Sequence, residues 1–172
     1  WKALSDAHAF HPFCFEKREY HPSPDPVNAM ASFAYTLLYH RVVSLLMAEG
    51  LDPRDGFLHC GHGTHAALAS DLMEPLRVTA DAFVLRSIRH GLITPGDFTS
   101  NNNSRGSRLT GVAYAKFIRL HDEWTSTALC VRNGKSISIR DLTEILVTEY
   151  KAAIRLQSPL PEAVLDALPD FL

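Results

Sequence analysis

From Pro26 to Glu49 the sequence runs for more than twenty residues without an internal proline or glycine. Its ends carry the asymmetry of a helix: Asp25 is a carboxylate N-cap, Pro26 stands at the first helical position, and Gly50 follows the last. Val27, Met30, Phe33, Tyr35, Leu37, Leu38, Val42, Val43, Leu45, Leu46 and Met47 leave almost no polar face, which predicts a helix buried on nearly every side. At ~1.5 Å per residue it reaches roughly 35 Å, the width of a small domain. A chain built on such a rod packs further helices around it, so the expected fold class is all-α, organised around one long central helix.

The rest of the composition agrees with a folded protein. Hydrophobic residues at 46% and charged ones at 21% over 172 residues suit one globular domain with a substantial core. No apolar run has the length of a membrane span, and no basic-then-apolar leader opens the chain, so the expectation is a cytoplasmic protein with no membrane role. Cys14, Cys60 and Cys130 are odd in number and far apart, which suits a reducing compartment better than a disulfide framework. A net charge of −2 is no nucleic-acid footprint by itself. Locally the balance differs: between Ala82 and Arg119 the bases Arg86, Arg89, Arg105, Arg108, Lys116 and Arg119 face one acid, Asp97. That excess is either a solvated basic face or a phosphate track.

Three further helices are predicted. Leu72 to Arg89 places Met73, Leu76, Ala80, Phe83, Val84 and Ile88 at helical spacing. If that helix starts at Asp71, Pro75 lies in its first turn; if it starts near Ala66, Pro75 must kink it. Val112 to Leu129 is the second, and the third runs from a capping box at Ser138–Asp141 to about Leu156. Gly91 to Thr110 reads as a polar loop and Arg132 to Lys135 as a turn. His11 to Pro26 is a proline-rich connector. The domain is expected over residues 1–157, and 158–172 forms an acidic, proline-containing tail.

Chemistry concentrates between Gly50 and Arg77. Phe57-Leu58 leads into His59, a Gly/His-rich loop follows, and Ala66-Ala-Leu-Ala69 leads to Asp71 and Glu74. His59 and Asp71 are a nitrogen and an oxygen donor of the kind a catalytic divalent metal takes. Asp71 also fits as a helix N-cap with Glu74 closing a capping box, and Glu74 can equally pair with Arg77. His59, Cys60, His62 and His65 offer four zinc donors within seven residues, too crowded to close a tetrahedron without distant partners. Cys60 as a nucleophile is disfavoured because neighbours on an extended step face opposite ways, and no Gly-x-Ser-x-Gly elbow is present.

Asp25-Pro-Val-Asn-Ala-Met30, Gly56-Phe-Leu-His59 and Ser70-Asp-Leu-Met-Glu-Pro-Leu-Arg77 together resemble the CRISPR-associated integrase that inserts spacers into CRISPR arrays. The resemblance runs from Trp1 to about Leu156. It implies a prokaryotic helical catalytic domain that acts as a metal-dependent DNA endonuclease and integrase, joining a 3′-hydroxyl to a phosphodiester. It carries the family's metal-binding histidine onto His59 and its aspartate onto Asp71, with Mn²⁺ or Mg²⁺ as the ion. The family's glutamate ligand has no match here, since Trp1 resembles the end of the motif that holds it; the chain is therefore expected to be inactive alone. His62, His65, Arg77, Arg105 and Arg108 are the expected DNA contacts. Implied partners are DNA (pre-spacer and CRISPR repeat) and the small dimeric adaptation protein (Cas two). A homodimer through an N-terminal β-rich domain is also implied. The wording from His62 to Arg77, HGTHAALASDLMEPLR, resembles members fused to a reverse transcriptase. Two other readings stay open: a non-catalytic helical module that binds DNA or scaffolds a complex, and a zinc hydrolase.

Overall fold

The computed structural model describes residues 1, 9–19, 23–59, 65–100, 106–132 and 135–157. Five α-helices carry the described fold: α1 (Pro26–Ala48), α2 (Ala67–Met73), α3 (Arg77–Arg89), α4 (Gly111–Ser126) and α5 (Ile139–Leu156). Four short strands pair into two antiparallel hairpins, β1 (Phe98–Ser100) with β2 (Ser107–Leu109) and β3 (Ala128–Arg132) with β4 (Lys135–Ser138). The protein is thus helical, as its sequence predicts. It divides into two compact units, one of Trp1–Tyr35 with Ala80–Trp124, the other of Thr36–Thr79 with Thr125–Leu172.

The long helix starts and stops where its sequence says. The Asn28 N–H donates to the Asp25 carboxylate at 2.9 Å, and Gly50 at φ 73° lets the Leu51 N–H return to the Leu46 carbonyl at 2.9 Å. Its burial differs from expectation. Val27, Ala31, Ala34, Leu38, Val42 and Leu46 form one fully buried stripe, the flanks are half-buried, and Met47 is 65% exposed. One turn's worth of partners suffices to cover a stripe, so the remaining apolar residues are only partly covered.

In the first unit the proline-rich connector is anchored by aromatics: Phe10, Phe13 and Phe15 are buried, with Phe10 and Phe15 rings 4.5 Å apart. Asn28, fully buried, ties this segment to α1. Its side-chain amide donates to the Lys17 carbonyl, and its oxygen accepts from the Glu19 N–H and the Arg18 guanidinium. Phe83 of α3 and Phe117 of α4 pack edge-on at 5.0 Å.

Two expectations are corrected. The expected helix from Val112 ends at Ser126, not Leu129, and the next residues pair with Lys135–Ser138 as a hairpin. The expected polar loop after Gly91 contains a 3₁₀ turn at Pro95–Asp97, capped by Thr94, and the β1–β2 hairpin. Strand pairing is a relation between distant residues, so neither hairpin leaves a strong local signature. The turn residues 133–134 and the tail 158–172 lie outside the described residues.

The last helix follows the sequence closely. Ser138 Oγ accepts from the Asp141 N–H, the Asp141 carboxylate accepts from the Ser138 N–H at 2.8 Å, and α5 closes at Gln157 in the left-handed region.

Candidate active site

The second unit builds the site from the loop after α1 and the short helix α2. The amide groups at the start of α2 find partners far from it in sequence. The Ala66 N–H donates to the Tyr39 hydroxyl at 3.0 Å, and the Leu68 N–H to the Pro53 carbonyl at 2.9 Å. Pro53 is thereby fixed to α2, and the 54–59 turn must lie close against it. Gly56 makes that approach possible: a Cβ there would sit 2.6 Å from the Ala67 Cβ and 2.8 Å from the His59 carbonyl oxygen.

Because α2 begins at Ala67, Asp71 lies within the helix and is not its N-cap. The capping-box expectation for Asp71 and Glu74 is therefore corrected. Pro75 sits in a 3₁₀ turn, Glu74–Leu76, that separates α2 from α3. Glu74 accepts an ion pair from Arg77 at 2.7 Å, the second of the two roles expected for it.

Released from capping, the Asp71 carboxylate points into the 57–59 turn with its side chain fully buried. Oδ2 accepts from the Phe57 N–H at 2.6 Å and the Leu58 N–H at 2.9 Å; Oδ1 accepts from the His59 N–H at 3.0 Å. Oδ1 also meets the His59 ring Nδ1 at 2.5 Å. Four contacts occupy essentially all the lone pairs a carboxylate offers. Burial alone would raise its pKa. The Leu58 N–H, the His59 ring and the Phe57 and His59 N–H groups outweigh that and hold the carboxyl below its ordinary value. An ionised Asp71 only accepts, so Nδ1 carries the shared proton. The other ring nitrogen, Nε2, lies outside this contact, on a side chain that is 46% exposed.

Next to this pair lies a residue the sequence did not flag. Tyr150 of α5 stacks on Phe57 with ring centroids 5.9 Å apart. Burial first, then the charges of Asp71 and Asp55, push its phenol above the ordinary value, so it stays neutral and protonated at physiological pH. Helical spacing from Thr143 and Val147 signals that Tyr150 lies on the inner face of α5, but nothing local ties it to Phe57.

The other candidate residues fall in different places. His65 is exposed, stacks on Tyr39 at 5.9 Å and has its Nε2 3.0 Å from Ser70 Oγ. Arg108 is exposed on β2 of the first unit. In the same unit Lys116 stands 3.8 Å from Asp97 and Arg86 lies over the Trp124 ring, so part of the basic excess is internally engaged. Cys60, His62 and Arg105 lie outside the described residues. No helix among the described residues is long and apolar enough to cross a membrane.

A divalent ion can be tested against this donor set. One imidazole and one carboxylate suit Mn²⁺ or Mg²⁺ in kind, with imidazole favouring Mn²⁺. His59 and Asp71 are the residues that would hold such an ion, and the Asp71 carboxylate would have to give up part of its contact with the His59 ring to do so. Among the described residues no group of three or more His, Cys, Asp or Glu side chains is placed to hold a metal.

The family model described as CRISPR associated protein Cas1 matches residues 1–123. A CRISPR-associated endonuclease Cas1 of Thermus thermophilus is 44% identical over 144 residues, 83% of this chain and 45% of the relative. Among solved structures, a casposase bound to integration product shares the fold with a TM-score of 0.80 at 23% identity, over 91% of this chain and 44% of that one. A Cas6-RT-Cas1–Cas2 complex gives a TM-score of 0.71 at 27% identity, over 84% of this chain and 16% of that one. The chain spans between a quarter and just under half of the length of the curated relatives it matches first.

Proposed function

The chain belongs to the Cas1 family of CRISPR-associated proteins, and from that premise we propose that it performs DNA strand transfer in spacer acquisition, with His59 and Asp71 at the reaction centre. The observation that carries this reading is the 2.5 Å contact between His59 Nδ1 and Asp71 Oδ1, made by residues twelve positions apart. Asp71 is fixed by three backbone N–H groups and in turn fixes the ring, so the imidazole needs no reorganisation when substrate arrives. With no ion on the ring, Nε2 of the neutral imidazole is a base able to take the proton of an attacking 3′-hydroxyl, or of water when the outcome is a nick. When bound by His59 and Asp71, Mn²⁺ or Mg²⁺ supplies charge neutralisation at the phosphoryl oxygens and acidifies the attacking hydroxyl.

The substrates on this reading are a pre-spacer strand and repeat DNA. Arg105, Arg108, Arg77, His62 and His65 contact the phosphates, a small Cas2-type protein is the assembly partner, and a homodimer forms through a β-rich domain of the kind the family carries. The Cas2-containing complex among the structural neighbours supports the partner, and its reverse transcriptase supports kinship with such fusions.

The direct test is strand transfer of a labelled 3′-hydroxyl oligonucleotide into duplex DNA, with Mn²⁺ and with chelator. Because two protein ligands hold an ion weakly, the assay is run on the 172-residue chain and on a version extended upstream by a helix that bears a glutamate. Mn²⁺-dependent transfer or nicking by the extended version is the expected result. If both versions bind DNA yet neither reacts, the chain is a non-catalytic binding module; stoichiometric zinc in the purified protein would instead favour a hydrolase.

The basic segment makes a second prediction. Charge reversal at Arg105 and Arg108 is expected to weaken non-specific DNA binding. The slope of log affinity against log salt should fall by about 0.9 for each phosphate that the protein no longer neutralises. An unchanged slope assigns those arginines to solvent.

A further inference from the structure

Resting on the strand-transfer reading, we propose that Phe57 and Tyr150 form an aromatic platform that stacks the nucleobase flanking the reacting phosphate. Phe57 is apolar, yet 56% of it is exposed, and its neighbour Leu58 is 68% exposed. A lone exposed phenylalanine is common on protein surfaces, but this ring is held in place from two sides. Its N–H is bonded to Asp71 at 2.6 Å, and its face is supported by Tyr150 at 5.9 Å with the rings 21° from parallel. One turn further along α5, Ile154 extends the apolar surface and is 51% exposed. The ring is thus a fixed flat surface two residues from His59.

The charges that flank it in sequence favour a base over a phosphate or an acidic peptide. Arg54 is paired with Asp52 at 2.7 Å and Lys151 with Glu49 at 2.8 Å, so these two basic groups are each balanced by an acid. What remains is an uncharged π-face, which every base can stack on whatever its sequence. Splaying one base onto such a platform turns its phosphate toward the neighbouring His59 and limits which bonds of the strand can reach it.

The experiment uses single-stranded oligonucleotides with 2-aminopurine placed at successive positions, titrated with the 172-residue chain. Fluorescence quenching is expected at one or two adjacent positions, and Phe57→Leu is expected to remove it and weaken binding about tenfold. Tyr150→Phe keeps the support and should retain the quench, which controls for the fold of the platform. On an oligonucleotide abasic at the quenched position, wild type and Phe57→Leu should bind alike. Equal quenching by Phe57→Leu, or an equal loss on base-containing and abasic strands, overturns the platform. So does a change in the sedimentation of DNA-free chain on Phe57→Leu, which would make the patch a protein interface. These readouts do not involve turnover: a chain that binds no DNA overturns the strand-transfer reading itself, whereas binding with a Phe57-independent quench overturns only the platform.

Discussion

Asp71→Ala is expected to lower the unfolding free energy by roughly 2–4 kcal/mol. Three backbone N–H groups and the His59 ring lose a fully buried anionic acceptor. Hydrogen bonds to a charged group contribute about 1.5–3 kcal/mol each, but Phe57, Leu58 and His59 are exposed enough for water to replace part of the loss. Asp71→Asn is expected to lose most of the same stability. An amide turns one acceptor into a donor, and every neighbour it faces is itself a donor. Asparagine would have preserved an N-cap, so this substitution separates the observed role from the capping role the sequence suggested.

The pH dependence follows from the sign of the shift. The folded pKa of Asp71 is depressed, so its stabilisation is fully present above the unfolded value of about 3.9 and is lost as pH falls through the folded value. The stability gap between wild type and Asp71→Asn, measured by urea unfolding, should shrink as pH falls below about 4. Asp141 is also depressed by its cap at Ser138, and comparing the two proteins cancels that contribution. A gap that is absent, or that does not change in acid, removes the buried-anion account.

His59→Ala should do less to stability and much to reaction. Its ring is 46% exposed and three backbone N–H groups still hold the Asp71 carboxylate, so removal is expected to cost about 1–1.5 kcal/mol, less than Asp71→Ala. If the extended version transfers strands as proposed, that activity should fall about 10²–10⁴-fold, the range for loss of a positioned general base. Because His59 and Asp71 act as one unit on the proposed reading, the double variant should be scarcely slower than His59→Ala alone. Additive losses would mean that the two residues serve separate steps. A His59→Ala protein with undiminished transfer would place the reaction elsewhere.

Elements whose signals are local can be read from the amino-acid order alone. The Pro26–Gly50 helix carries its cap, its opening proline and its stop within its own span, and the Ser138–Asp141 box sets the start of α5. Gly56-Phe-Leu-His59 and the stretch from Ser70 to Arg77 pointed to His59 and Asp71 as a candidate pair, and the fold brings the two side chains into contact. Whatever depends on contacts across the chain is set by the fold. The start of α2 is set by the Tyr39 hydroxyl and the Pro53 carbonyl, and that choice moved Asp71 from a helix cap to the buried anchor of His59. The hairpins at 98–109 and 128–138 depend on pairing that no single segment encodes. Phe57 and Tyr150, far apart in sequence, meet because α5 turns one face inward, and periodicity names that face without naming what lies against it. Local propensity and capping act over a turn or two of helix, whereas a buried carboxylate takes its role from whichever donors the fold brings to it.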